Sequence, residues 1–435
     1  MTEKIPPGYK RTEIGIIPED WEVRDIERIS TLKARIGWQG LKKSEYLPHG
    51  DYFLITGTDF YNGQIDWDKA VFVSRRRYEQ DKNIQVRKND ILVTKDGTIG
   101  KVAFIKTKPP KPATLNSGIF VIRPVNFSYY PMFMYYIFMS RYFEEFLNKL
   151  SAGSTINHLY QKDFVNFKVP IPPLPEQRAI ARVLSDFDHL IESLDELIEK
   201  KKMIKKGAMQ ELLTGKKRLP GFTGEWVRKR LGEVGKARGG NGFPLKYQGQ
   251  KKGKYPFFKV LSLSQKGNNL FLRNADHWID ENTKKSLGVY VFPPKTIVFA
   301  KIGAAIFLER KRILIQESCI DNNMMGFIPD NTKVDFMFLY YVFTQLRISE
   351  IMEATALPSI NGRIVENIEI SLPPTLSEQR AIARVLSDMD AEIEALERKK
   401  EKYEMMKKGA MELLLTGKVR LKDYKVGDEE DVVEE

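Results

Sequence analysis

A block of 45 residues occurs twice in this chain. Residues 175–219 read PEQRAIARVLSDFDHLIESLDELIEKKKMIKKGAMQELLTGKKRL, and residues 377–421 read SEQRAIARVLSDMDAEIEALERKKEKYEMMKKGAMELLLTGKVRL. The copies align without a gap, 202 positions apart, with about two-thirds of their positions identical. Such a repeat constrains architecture before any local reading, because two near-copies must solve one packing problem twice. In the first copy Ile180, Val183, Leu184, Phe187, Leu190, Ile191, Leu194, Leu197, Ile198 and Ile204 recur in steps of three and four. Ile382, Val385, Leu386, Met389, Ile393, Leu396, Tyr403 and Met406 do the same in the second. That is the spacing of one helix face. Pro172-Pro173 and Pro373-Pro374 stand before the copies, where proline favours an extended lead-in. Gly215 and Gly417 follow them, where glycine ends a helix at no steric cost. About 40 residues at ~1.5 Å each make a helix of about 60 Å. Each apolar stripe needs cover, and the other copy is the natural partner, so the pattern predicts a coiled coil, the alternative being two separate helices that each pack on their own globular domain.

The chain of 435 residues divides around these helices. The expected order is a first globular domain at 1–170, a helical region at 171–219, a second globular domain at 220–370, a helical region at 371–421 and an acidic, disordered tail at 422–435. The fold class is α+β: two mixed α/β domains separated by two long antiparallel helices, with a pseudo-two-fold internal repeat. Ile17-Pro-Glu-Asp-Trp21 resembles Gly221-Phe-Thr-Gly-Glu-Trp226, which follows the first helix. The start of the chain is therefore expected to lie beside the end of the second helix.

The two domains share a plan with different residues. The strand–turn–strand at 90–105 is mirrored by 296–308, the DYFLITG strand by 256–261, and residues 132–138, in an aromatic helix expected at 131–148, by 336–343. The loop at 33–40 is mirrored by the glycine loop at 237–242. The helices are near copies while the domains diverge. One pair of segments answers to the same demand twice, and the other pair is free to read two different things.

Charge indicates what is read. The net charge is +13. Residues 1–170 hold 26 Lys/Arg against 19 Asp/Glu, and residues 220–370 hold 22 against 14, whereas 371–435 is acidic overall. Excess cation on the globular domains fits a polyanion. Cys319 is the sole cysteine, which excludes an intramolecular disulfide and suits a reducing compartment. The N-terminus lacks a secretory apolar stretch, and the most apolar run, 129–139, is too short to cross a bilayer. A cytoplasmic protein without membrane contact is expected.

Catalytic patterns are absent. Gly97-Thr-Ile-Gly-Lys101 has two residues between its glycines where a phosphate loop needs four. It reads as a hairpin turn. His49, His158, His189 and His277 lack metal-ligand spacing, and no metal site is expected.

Taken together, Ile171-Pro-Pro-Leu-Pro-Glu-Gln-Arg178 with Leu212-Leu-Thr-Gly215, and Leu372-Pro-Pro-Thr-Leu-Ser-Glu-Gln-Arg380 with Leu414-Leu-Thr-Gly417, resemble the specificity subunit of type I restriction–modification systems. The resemblance implies two target-recognition domains that each read half of a split, asymmetric sequence in double-stranded DNA. It implies helical regions that hold the domains apart and dock two methyltransferase subunits, with restriction subunits as further partners. It also implies a chain that is not an enzyme and holds no cofactor, S-adenosylmethionine and ATP belonging to the partners. Candidate DNA contacts are Arg35, Lys42, Lys43, Arg75, Arg76, Lys95, Thr98, Lys101, Ser154 and Asn157 in the first domain, and Arg238, Lys246, Lys301, Ser359 and Asn361 in the second. These are the residue types that reach phosphates and base edges. Glu176, Gln177, Arg178, Glu378, Gln379 and Arg380 are the candidate partner-docking residues. The alternative reading is a helical adaptor that binds proteins or RNA.

Overall fold

A computed structural model describes residues 5–151, 158–351, 359–422 and 424. The repeated blocks form two helices of equal length, Leu174–Leu212 and Leu376–Leu414, each 39 residues. The chain separates into two units. Unit 1 holds residues 1–195 and 399–435, and unit 2 holds 196–398. Each unit therefore combines one globular domain with the first part of one long helix and the last part of the other.

In unit 1, strand Glu22–Asp25 pairs antiparallel with Lys168–Ile171, which leads directly into the first long helix. The main sheet has the strand order Val102–Phe104, Ile91–Thr94, Ile119–Pro124, Ser30–Ala34, all antiparallel. A smaller sheet places Tyr52–Ile55 between Ala113–Leu115, parallel, and Val71–Val73, antiparallel. Unit 2 repeats the plan. Strand Val227–Arg230 pairs with Glu369–Leu372, and the main sheet runs Gly235–Gly239, Met324–Pro329, Ile297–Ala300, Lys311–Leu314, Phe271–Leu272.

In unit 2 the aromatic segment forms the helix Phe336–Gln345, followed by a second helix at Ile348–Ile351. In unit 1 the continuous helix expected at 131–148 is likewise divided, into Pro131–Phe138 and Arg141–Leu150, and the Ser140 hydroxyl accepts from the Tyr142 N–H at 3.3 Å and caps the second piece. Two other local expectations are corrected. Residues 235–239 form a strand rather than a loop. Residues 304–308 form a 3₁₀ turn, and the return strand comes later, at Lys311–Leu314. Gly303 at φ 75° turns the chain out of the strand path, which a glycine does without strain.

Each core draws on both long helices. In unit 1, Ile180, Ala181 and Leu184 from the start of the first helix cluster with Leu414 and Leu415 from the end of the second, against Trp21, Phe133, Tyr136 and Ile137. In unit 2, Ile382, Ala383 and Leu386 cluster with Met209, Leu212 and Leu213, against Leu231, Phe338 and Tyr341. The first turns of one copy thus meet the last turns of the other in both units, which is the shared demand that keeps the blocks alike. Ion pairs in unit 1 join Asp188 to Lys407 at 2.5 Å and Asp195 to Lys400 at 2.6 Å. In unit 2 they join Lys201 to Glu392 at 2.6 Å and Lys202 to Glu397 at 3.1 Å. From Asp188–Lys407 to Asp195–Lys400 in unit 1, and from Lys202–Glu397 to Lys205–Asp390 in unit 2, residue numbers fall along one helix as they rise along the other, so the pairing is antiparallel in each unit. Part of the apolar stripe stays outside it: Leu190, Leu197 and Ile204 are 36, 38 and 49 % exposed.

Candidate nucleic-acid interface

The geometry of the repeated motifs starts at the helix ends. In unit 2 the Arg218 guanidinium grips the Glu378 carboxylate with two bonds, Nε to Oε1 at 2.5 Å and Nη2 to Oε2 at 2.7 Å. Its remaining donors reach the carbonyls of Gly224 and Thr223 at 2.6 and 3.1 Å. In unit 1, Arg420 grips Glu176 the same way, at 2.8 Å on both sides, and extends to Asp20 at 2.8 and 2.7 Å. Burial raises the Glu176 carboxyl, but bonds from Arg420, the Leu421 N–H and Trp21 bring it below its ordinary value. Arg420 holds Asp20 down to about 2. The Tyr9 hydroxyl donates to the Gly417 carbonyl at 2.8 Å, so the start of the chain docks at the end of the second helix, as the sequence predicts.

The glutamines are equally occupied. Gln177 accepts from the Tyr130 N–H at 2.9 Å and donates to the Pro172 carbonyl at 2.8 Å. Gln379 accepts from the Asp335 N–H at 2.8 Å and donates to the Pro373 carbonyl at 3.3 Å. The amide side chain supplies both the donor and the acceptor this task needs. The expectation that Glu176, Gln177, Glu378 and Gln379 dock a partner is therefore corrected. All four are at most 2 % exposed and spend their polar atoms inside their own unit. Arg178 and Arg380 differ: both are exposed.

A third repeated contact joins the helices to the aromatic segments. Asp188 accepts from the Tyr136 hydroxyl at 2.6 Å, and its partner Lys407 lies over the Tyr136 ring at 5.5 Å. Asp390 accepts from the Tyr341 hydroxyl at 2.7 Å, and its partner Lys205 lies over that ring at 5.4 Å.

Several of the candidate DNA contacts lie on the main sheets or in the turns at their strand ends. In unit 1 the Leu159 N–H donates to the Lys95 carbonyl at 2.8 Å, and in unit 2 the Ile360 N–H donates to the Lys301 carbonyl at 2.9 Å. The turn that starts at Lys95 is thus held to Leu159, and the turn that starts at Lys301 to Ile360. Asp96 and His158 form a further pair at this junction in unit 1. Thr98 is exposed at the tip of its turn, and Lys101 reaches the Gly57 carbonyl at 3.5 Å. Burial lowers the Lys95 ammonium below its ordinary value, while Asp96 opposes the shift. In unit 2 the Lys301 ammonium lies against Gly239, where a Cβ would come within 2.9 Å of it. Arg238, the preceding residue, stacks on the Tyr290 ring at 3.8 Å. Ser359 is exposed, while Asn361 caps the helix Gly362–Glu366 through the Ile364 N–H at 3.0 Å. Ser154 and Asn157 lie outside the described residues, as does most of the acidic tail.

The other candidates are more scattered. Lys42, Lys43, Arg75, Arg76 and Lys246 are exposed; Arg75 is paired with Glu79 at 2.7 Å and Lys246 lies over Tyr247 at 4.9 Å. Arg35 is a correction. It is 2 % exposed and donates to the Leu115 carbonyl at 2.8 Å and the Thr114 hydroxyl at 3.1 Å, so it braces the domain interior. The residue that sequence reasoning missed is Lys33. Lys33 faces Val121 in the sheet as Arg238 faces Gly326, and both are exposed. Strand alternation carried the sign: Leu32 is buried, so its neighbour Lys33 points the other way.

Among the described residues, no cluster of His, Cys, Asp or Glu could hold a metal ion, and no helix is long and apolar enough to cross a membrane.

Comparison with known proteins bears on this arrangement. The family model described as "Type I restriction modification DNA specificity domain" matches twice, at residues 18–201 and 223–404. The MjaVIII specificity subunit of a type I restriction enzyme from Methanocaldococcus jannaschii is 29 % identical over 430 residues, covering 94 % of this chain and 95 % of its own. The EcoKI specificity subunit of Escherichia coli is 26 % identical over 203 residues, covering 46 % of this chain and 43 % of its own. The crystal structure of a type I restriction–modification S subunit from M. genitalium superposes with a TM-score of 0.59 at 18 % identity, covering 95 % of this chain and 98 % of that one.

Proposed function

The chain belongs to the type I restriction–modification DNA specificity family, and from that premise we propose that it reads a split, asymmetric duplex sequence with its two globular domains. The observation that carries the reading is the contrast inside the chain. In both units a backbone bond holds a lysine turn, at the Lys95 carbonyl in one and the Lys301 carbonyl in the other, to Leu159 or Ile360, and the side chains around it differ. A shared frame with unlike contact residues is what two readers of two unlike half-sites require. The long helices set the distance between the half-sites.

The partners follow from a second repeated feature. Met203 and Ile204 of the first helix are 67 and 49 % exposed, and their counterparts Met405 and Met406 of the second are 75 and 45 % exposed. Equivalent apolar pairs, one on each helix, suit two copies of one partner. We assign them, with Arg178 and Arg380, to the docking of two methyltransferase subunits. Restriction subunits would join through those partners. Adenine methylation, with its S-adenosylmethionine, and ATP-driven restriction then belong to the partners, and this chain contributes recognition alone.

The test is the salt dependence of duplex binding by the assembled complex. Replacing Arg238 and Lys301 by alanine removes two phosphate-directed cations. The slope of log affinity against log salt should fall by about 2 and affinity should drop on all sequences alike. Replacing Lys33 and Lys95 should do the same from the other unit. An unchanged slope in both double variants would count against these positions as the DNA-facing surface and favour the adaptor reading.

A further inference from the structure

We propose that unit 2 makes an apolar contact with the 5-methyl group of a thymine through Phe307 and Leu308; the proposal rests on the DNA-reading function above. The two units carry the same turn in different chemistry. In unit 1 the strands Ile91–Thr94 and Val102–Phe104 are joined by residues 95–101, with Thr98 exposed. In unit 2 the corresponding strands, Ile297–Ala300 and Lys311–Leu314, are joined by residues 301–310, and Phe307 and Leu308 stand out of this longer turn at 56 % exposure each. The neighbouring turn repeats the contrast. In unit 1 it carries Thr56 and Thr58, whose hydroxyls share a hydrogen bond of 2.7 Å. In unit 2 it carries Leu261, 81 % exposed. A cation ties the two turns together in each case: Lys101 to the Gly57 carbonyl, and Arg310 to the Ser264 hydroxyl. The tip of one reader is therefore polar and the tip of the other apolar.

The apolar tip is firmly held. Ile306 anchors it in the core at 2 % exposure. Glu309 closes it at φ 51°, the left-handed region that a residue with a side chain adopts at a cost. The Glu309 carboxylate supports that conformation by accepting from the Ser349 N–H at 2.8 Å, the Ser349 hydroxyl at 2.7 Å, the Ile348 N–H at 3.2 Å and Lys311 at 2.5 Å. Two large apolar side chains fixed in solvent on a braced turn are a contact surface in need of a partner. The partner's charge is indicated by what flanks them: Lys301 and Arg310 in the same turn, and Arg347 next to the bracing helix Ile348–Ile351. A partner that is polyanionic around the contact and apolar at its centre is a duplex groove with a methyl group at the base edge. In the major groove only thymine presents one, and phenylalanine is among its usual contacts.

The experiment uses the full chain assembled with its methyltransferase partner and a duplex carrying the mapped target motif. Each thymine of the motif is replaced in turn by deoxyuridine, which lacks only the methyl group. At one thymine of the half read by unit 2, the replacement should weaken binding about ten-fold, the typical worth of one methyl in a fitted apolar contact. The Phe307→Ala/Leu308→Ala variant should bind the thymine and uracil duplexes equally at that position and keep its discrimination in the other half. The proposal is overturned if no uracil in that half changes binding by more than about two-fold, a result that needs no variant. It is equally overturned if the ten-fold effect survives in the double variant. Failure of the underlying DNA reading would look different, as loss of preference for the motif as a whole.

Discussion

Arg218→Ala is expected to destabilise unit 2 by about 3–5 kcal/mol, the usual consequence of stranding one half of a buried ion pair. The Glu378 side chain is 1 % exposed and receives both of its strong bonds from this guanidinium. Without it, a carboxylate stays in a dry site at the point where the end of the first helix, the start of the second and the segment carrying Thr223 and Gly224 meet. Hydrogen exchange in Leu376–Leu414 and denaturant unfolding should both report the loss. The charge, and not the lost volume, is the cause, so Arg218→Ala/Glu378→Gln should recover a substantial part of it. Arg218→Lys should rescue poorly, because an ammonium cannot make the two-pronged grip. A loss below about 1 kcal/mol would show that the junction behaves as a surface ion pair and that the repeated motif has some other reason to be repeated.

Exchange of one globular domain should change half of the recognised sequence and leave the other half intact. The structure indicates where to cut. The Leu231 N–H donates to the Ile368 carbonyl at 2.9 Å, so residues 231–368 leave and return side by side. The frame strands Val227–Arg230 and Glu369–Leu372 stay behind. Replacing 231–368 with the corresponding segment of another family member should lower methylation of the original motif at least about 100-fold, since each mismatched base pair costs about 1–3 kcal/mol. A new motif should appear that keeps the half read by unit 1 and the original spacer. A change in both halves would mean that the readers are not independent. No change would place recognition outside the exchanged segment.

The same division explains what the sequence could disclose. The helices were legible because periodicity, proline lead-ins and terminal glycines all act locally, and the structure returns Leu174–Leu212 and Leu376–Leu414. Gly417 shows how strictly such an ending is set: at φ 70°, a Cβ there would lie 2.4 Å from Pro18. The roles of the motif residues were not legible. Glu176 finds its arginine 244 positions away, and a shared Glu-Gln-Arg string reads equally well as a docking surface or as an internal clasp. Arg35 and Lys33 were confused because two positions along a chain leaving its strand decide whether a cation enters the core or faces solvent. The Phe307–Leu308 tip was hidden by its composition. An apolar run after a glycine reads as a strand, and only the left-handed backbone at Gly303 and Glu309 lifts it out of the sheet.

Mapping methyladenine across the genome tests recognition itself, in cells expressing this chain with its methyltransferase partner and in cells expressing the partner alone. The account predicts a two-part, asymmetric motif methylated only when the chain is present. The same methylation pattern with and without the chain, in a complex shown to be assembled, would contradict it.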